Sequence, residues 1–313
     1  MQFFFEVTRR RRCTFTCAVA FLLTGPIASG APGDIVAVVP VPVPSQSGIG
    51  TAFEADCQIP PTLYYTNTGS PFLHSMDASG NDLGSVQTTD ADTGKIITFG
   101  SISWDETRQI LWGGTDSLGS PVSVYQIDPA TGIATFAFTA ETPGLGFADG
   151  IFYDISDDTV YVSDDVSTQI DQHDADTGAH LRTFTPTDAD GYPLGLISGI
   201  LGGTGDVLYV SQNPLGSIVQ VRKSDGGFIA HVTFSGGRDA DLACDKNSFS
   251  PVPVIWSKDA YNDAVRAIEV EPGACDCCLR TIPTVSEWGL VILALLLLTA
   301  SKIYSGAHRP ACI

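Results

Sequence analysis

Thr159–Asp165 reads TVYVSDD, a short run of β-formers with one aromatic residue and a polar stop. Four other stretches have the same build: TLYYTN at Thr62–Asn67, ILWGGT at Ile110–Thr115, VLYVSQ at Val207–Gln212 and VIWSKD at Val254–Asp259. Aligned on the aromatic, the positions are Tyr64, Trp112, Tyr161, Tyr209 and Trp256, with spacings of 48, 49, 48 and 47. An aliphatic residue precedes each (Leu63, Leu111, Val160, Leu208, Ile255), and a polar residue follows three positions later (Asn67, Thr115, Asp164, Gln212, Asp259).

A second ladder keeps the same period. Each run leads into an extended segment that ends in a glycine turn: DASG at Asp77–Gly80, DPATG at Asp128–Gly132, DADTG at Asp174–Gly178, KSDGG at Lys223–Gly227 and EVEPG at Glu269–Gly273. Glycine supplies the positive φ of a tight hairpin, and Asp or Pro favours turn entry. Short strands and turns recurring at this length are the pattern of a propeller blade, a sheet that buries its faces only by stacking on its neighbours. The expected fold is therefore all-β: a β-propeller of about five four-stranded blades in residues 51–280. A β-sandwich with chance similarity competes poorly, because two independent features share one period. Six blades is the alternative count, if residues 32–60 hold more than one strand.

Lettering the strands a to d from the axis outward, strand a falls at SISWD, GIFYD, ISGIL and DADLA in units two to five and at Thr51–Ala55 in the first. The alternating Val and Pro of residues 32–50 read as an extended leader. Within it Asp34–Val43 is placed to add the outer strand of the last blade and close the ring, because ACDCCLR after Gly273 is a poor strand.

Residues 1–31 read as a signal peptide, with Arg9–Arg12, a short apolar run over Cys13–Ile27, and small residues at Ala28–Ala31. That run is too short for a membrane anchor. The net charge is −19; the leader holds four Arg and Glu6, so the exported chain carries about −22. Such a surface repels nucleic acid and anionic lipid, and it attracts divalent cations.

Acids are frequent in the d-to-a and b-to-c loops, which share one end of the ring. Asp149, Asp164 and Asp259 there are the candidate ligands for a hard cation such as calcium, which takes several oxygen donors. No Asp-rich calcium loop with a closing Glu is present. Catalytic motifs are also missing: there is no Gly-x-Ser-x-Gly, His-Glu-x-x-His or phosphate loop. His74, His173, His180 and His231 are the imidazoles outside the leader and tail, with His173 and His180 expected at the surface near a turn. Cys57, Cys244, Cys275, Cys277 and Cys278 suit disulfides outside the cytoplasm, with Cys244 expected to bridge to the Cys275–Cys278 group.

The tail, residues 281–313, has the most specific motif. Ile282, Pro283, Thr284, Val285, Ser286, Glu287, Trp288 and Gly289 read IPTVSEWG, followed by LVILALLLLTA at Leu290–Ala300 and then Lys302 and Arg309. The apolar run from Trp288 to Tyr304, interrupted by Lys302, is only just long enough for a tilted membrane helix, with Trp288 and Lys302 suited to its two interfaces. This closely resembles the IPTL-CTERM sorting tail, with Val285 in place of the usual Leu. The resemblance implies export, anchoring in the membrane through the tail, and recognition of Ile282–Gly289 by an exosortase-type membrane protease at the cell surface or matrix. TVYVSDD and VLYVSQN also resemble the YVTN/NHL-like propellers of secreted bacterial proteins.

Two functions follow. The favoured one is a non-enzymatic surface or matrix propeller that binds an extracellular polysaccharide, a surface protein or an ion. The alternative is an extracellular metal-dependent hydrolase, lactonase or lyase whose funnel acids, for example Asp149 or Asp164, do the chemistry.

Overall fold

Side chains alternate across a strand, so the aliphatic–aromatic pair of each repeat must face two different layers. The structure, a computed structural model of the chain, describes residues 31–45, 49–54, 61–116, 121–140, 147–164, 166–213, 216–234 and 238–274. In it Leu63, Leu111, Val160, Leu208 and Ile255 pack toward the preceding blade, and Tyr64, Trp112, Tyr161, Tyr209 and Trp256 toward the following one. Trp112 thus lies against Ile151 and Val162, and Trp256 against Phe53 and Leu63. One dyad fills both interfaces of its blade, at roughly 2 kcal/mol per fully buried large side chain.

The described residues form five sheets and no helix. Strand β1 is Ile35–Pro40. Blade 1 holds β2 (Thr51–Glu54), β3 (Thr62–Tyr65), β4 (Phe72–Met76) and β5 (Asp82–Gln87). A two-residue β6 (Thr89–Asp90) follows, then blade 2 with β7 (Phe99–Asp105), β8 (Ile110–Thr115), β9 (Ser123–Ile127) and β10 (Ile133–Thr139). Blade 3 holds β11 (Ala148–Asp154), β12 (Thr159–Asp164), β13 (Ile170–Asp174) and β14 (His180–Phe184). Blade 4 holds β15 (Leu196–Gly202), β16 (Val207–Asn213), β17 (Ser217–Arg222) and β18 (Phe228–Phe234). Blade 5 holds β19 (Asp239–Asp245), β20 (Val254–Asp259) and β21 (Ala264–Glu269), and its outer strand is β1, paired antiparallel to β21. The inner strands β2, β7, β11, β15 and β19 follow one another around the axis. The chain is therefore a five-bladed propeller of four-stranded blades. Among the described residues blade 2 alone gains a short fifth strand, because β6 lies parallel along β10.

Polar contacts from the inner and second strands of one blade to the inner strands of others tie the ring. Asp241 Oδ2 accepts from the backbone N–H of Thr51 (3.1 Å) and of Ile102 (3.0 Å), joining blade 5 to blades 1 and 2. Tyr153 N donates to Ser103 Oγ at 3.0 Å, and Ser163 Oγ to the Ser198 carbonyl at 2.9 Å. Ser211 Oγ donates to the Asp239 carbonyl. The backbones come close enough here to exclude a side chain: a Cβ on Gly100 would lie 2.2 Å from the Ala148 carbonyl oxygen.

His173 departs from expectation. It is buried, stacked at 4.4 Å on Phe138 of the neighbouring blade, with Nδ1 at 3.1 Å from the Gly178 carbonyl; His180 stays exposed. Its place on β13 turns it into the blade 2–blade 3 seam, and the nearby turn does not expose it. The leader at 1–30, the Cys275–Cys278 group and the sorting tail lie outside the described residues. So does Asp165, which ends the TVYVSDD run.

Candidate functional site

Three inner strands end in aspartate, and each aspartate builds the a-to-b turn that follows. Asp105 Oδ1 accepts from the N–H of Thr107 and of Arg108, both at 2.9 Å, and its Oδ2 accepts from Trp112 Nε1 at 3.1 Å. Asp245 repeats the arrangement with Asn247 N (2.8 Å), Ser248 N (2.9 Å) and Trp256 Nε1 (3.0 Å). In blade 3 Asp154 Oδ1 accepts from Ser156 N (3.0 Å) and Ser156 Oγ (2.7 Å). No indole stands at Tyr161, and Asp154 Oδ2 instead meets Lys223 Nζ from blade 4. An aspartate that accepts backbone N–H groups two and three residues on shapes a compact turn.

Those turns surround a cavity of about 290 Å³ on the axis. Phe53, Trp104, Phe152, Leu201 and Leu242 supply apolar wall, and Ser103, Ser156, Thr204, Lys223 and Asp154 supply polar groups. The Phe152 ring lies over Gly202, where a Cβ would come within 2.1 Å of its Cζ. Glycine at that position therefore lets the ring line the cavity. The polar groups are already engaged. Ser103 Oγ accepts from Tyr153 N, Ser156 Oγ donates to Asp154, Thr204 Oγ1 donates to the Gly273 carbonyl, and Lys223 is paired with Asp154. Cys244 and Glu106, also on the walls, have partners too.

The cavity opens at the end opposite to the one that the acidic loops pointed to. At that other end Asp149, at the start of β11, is fully buried and paired with Arg238. Asp259, at the end of β20, accepts from Tyr261 N (3.0 Å) and Asn262 Nδ2 (2.7 Å) and is paired with Arg266, whose Nη1 also lies 3.8 Å from Asp239. Asp164, at the end of β12, accepts from Val166 N (3.1 Å) and Ser167 N (2.6 Å). Asp164 and Asp149 are brought close by the β11–β12 register, in which Ala148 lies opposite Asp164, whereas Asp259 sits in another blade. Among the described residues no group of three or more His, Cys, Asp or Glu is arranged to hold a metal ion. Asp241, fully buried, has its carboxyl pushed well above the usual range by burial, against the pull of three backbone N–H groups.

Sequence reading missed the cavity residues. Its signals were faint: an aspartate closing strand a in blades 2, 3 and 5, and the Gly202-Gly203 pair replacing that aspartate in blade 4.

No protein-family model and no characterised protein matches the sequence. Solved structures match the fold. A glutaminyl cyclase from Myxococcus xanthus superposes with a TM-score of 0.54 at 13% identity, over 76% of this chain and 97% of that one. A gluconolactonase from Xanthomonas campestris does so with a TM-score of 0.50 at 13% identity, over 76% and 99%. At such identity the likeness extends to the propeller and no further.

Proposed function

We propose that this chain is an exported, surface-held propeller that binds a ligand without transforming it, and that the axial cavity at the a-to-b end is where the ligand sits. The observation that carries this reading is the state of the cavity's reactive groups. Asp154 is neutralised by Lys223, and the Ser103, Ser156 and Thr204 hydroxyls each have a partner. A hydrolase needs an acid or nucleophile free to engage its substrate within hydrogen-bond reach. Asp149 and Asp164, the acids of the alternative hydrolase reading, stand at the far end, and Asp149 is tied to Arg238. Calcium at Asp149, Asp164 and Asp259 is the weaker binding reading, because arginines already neutralise two of the three.

The route to the surface is the leader at residues 1–31 and the tail at residues 281–313. The tail holds the chain in the membrane and offers Ile282–Gly289 to an exosortase-type protease. Surface polysaccharide or a surface protein is then the neighbour of the propeller.

Extraction tests the binding half. The full-length chain, taken from its own cell envelope and denatured in solvent, should release one compound in stoichiometric amount. That compound should be chemically unchanged when offered back to fresh protein. Conversion of the compound over repeated turnovers would sink the non-enzymatic reading. Replacing Ile282–Gly289 with alanine should leave the propeller folded and its surface delivery abolished.

A further inference from the structure

Building on the axial cavity as the ligand site, we infer the class of its ligand: a neutral, chiefly apolar molecule about the size of one ring with a short substituent. Three observations converge on this class.

The first is the hydrogen-bond state of the walls. The hydroxyls of Ser103, Ser156 and Thr204, both oxygens of Asp154 and the Lys223 ammonium are all engaged with the protein. A sugar entering the cavity would have to share or displace these bonds, and each of its hydroxyls left unmatched lowers affinity by about tenfold. Of the charged groups on the wall, Asp154 and Lys223 cancel one another, and Glu106 has a partner of its own.

The second is what the walls present instead. Phe53, Phe152, Leu201 and Leu242 line the lumen. Trp104 is only partly buried, yet its indole N–H is shielded from water and has no acceptor. An apolar lumen of this kind favours burial of apolar surface and penalises any ligand that must shed a charge.

The third is size. At about 290 Å³ the cavity stands at the lower bound of small-molecule pockets.

The test uses the full-length chain in lipid nanodiscs, with empty nanodiscs as the blank for partitioning. The probes are isopropylbenzene, benzoate of the same skeleton with a carboxylate, δ-gluconolactone as a neutral polar ring, and calcium. Binding is read from thermal unfolding and from Trp104 fluorescence, with Trp104→Phe identifying that signal among the four tryptophans. Isopropylbenzene should bind saturably, about tenfold or more tightly than benzoate or the lactone. The Leu201→Phe substitution should fill the lumen and weaken that binding by about tenfold. Should Leu201→Phe fail to fold, the indole N–H resonance of Trp104 in the unaltered protein decides, since it must shift with isopropylbenzene and stay fixed with benzoate. Preference for benzoate, the lactone or calcium, with the Trp104 signal responding, overturns the ligand class and leaves the cavity as the site. No response of Trp104 to any probe overturns the class and the cavity together.

Discussion

Lys258 shows how a single residue can carry a whole-ring property that its local sequence hides. In VIWSKD it reads as a polar residue at a strand end, yet it is fully buried, and among the described residues its ammonium donates only to the Asp259 carbonyl, at 3.5 Å. Burial lowers its pKa from 10.5 to about 8, against the attraction of Asp263 and Asp259. Below pH 8 the amine is charged in both the folded and the unfolded chain, and the folded state bears the full cost of burying it. Between pH 8 and 10.5 only the unfolded chain holds the proton, so stability rises with pH. Above that range both are neutral and the penalty is gone. At about 1.4 kcal/mol per pH unit the span is worth about 3 kcal/mol. Lys258→Met should therefore stabilise the ring at pH 7 by about 1–3 kcal/mol, and the difference from the parent should vanish by pH 10.5. Denaturant titration at four pH values checks this, and a pH-independent difference would contradict it. Asp149 hides its surroundings in a related way. Its partner, Arg238, lies 89 residues away in the chain, beyond the reach of any local sequence pattern.

At the scale of the strand, the repeat was legible wherever a large residue marks it. The aromatic of each second strand and the turn glycines kept one period, and Gly80, Gly132, Gly178 and Gly226 do take positive φ in the c-to-d hairpins. A third ladder was equally present and went unread: Gly50, Gly100, Gly150 and Gly199, spaced by 50, 50 and 49. Its cause is crowding of backbones around the axis, which only the closed ring reveals. A Cβ on Gly150 would lie 2.4 Å from the Ser198 carbonyl oxygen and 2.9 Å from the Ile200 nitrogen. Backbone cannot yield as a side-chain tip can, so Gly150→Ala should cost about 3 kcal/mol. Gly191, with φ of +82° and open space around it, is the control. Its replacement by Ala meets only the left-handed penalty of about 1 kcal/mol. Equal losses from the two substitutions in chemical denaturation would remove crowding as the reason for the ladder.

At the scale of the whole molecule, a propeller must join its last blade to its first, and here the N-terminal strand does so. β1 pairs along β21 from Ile35 opposite Ile268 to Pro40 opposite Ala264. Val39 and Val41 enter the same core as Val254, Trp256 and Val265 of blade 5 and Phe53 and Leu63 of blade 1. Tyr65 Oη accepts from Val43 N at 3.0 Å, and Asp263 Oδ1 from Ser45 N at 2.6 Å, so the segment after β1 grips both blades at the seam. Deleting residues 32–45 exposes an unpaired edge on β21 and uncovers part of that core. Because blade-to-blade contacts supply most of the stability of a repeat fold, the loss should spread from the seam. The unfolding midpoint should fall by about 10 °C or more, and the transition should broaden as blades 5 and 1 loosen first. A circular permutant that places residues 32–45 after Ala274 restores the pairing without the original connection, and it should recover the parental midpoint. If the permutant stays as unstable as the deletion, the closure depends on the connection from β1 into blade 1. If the deletion itself leaves the midpoint unchanged, the three-stranded remnant of blade 5 closes the ring unaided, and β1 is an ornament of the edge.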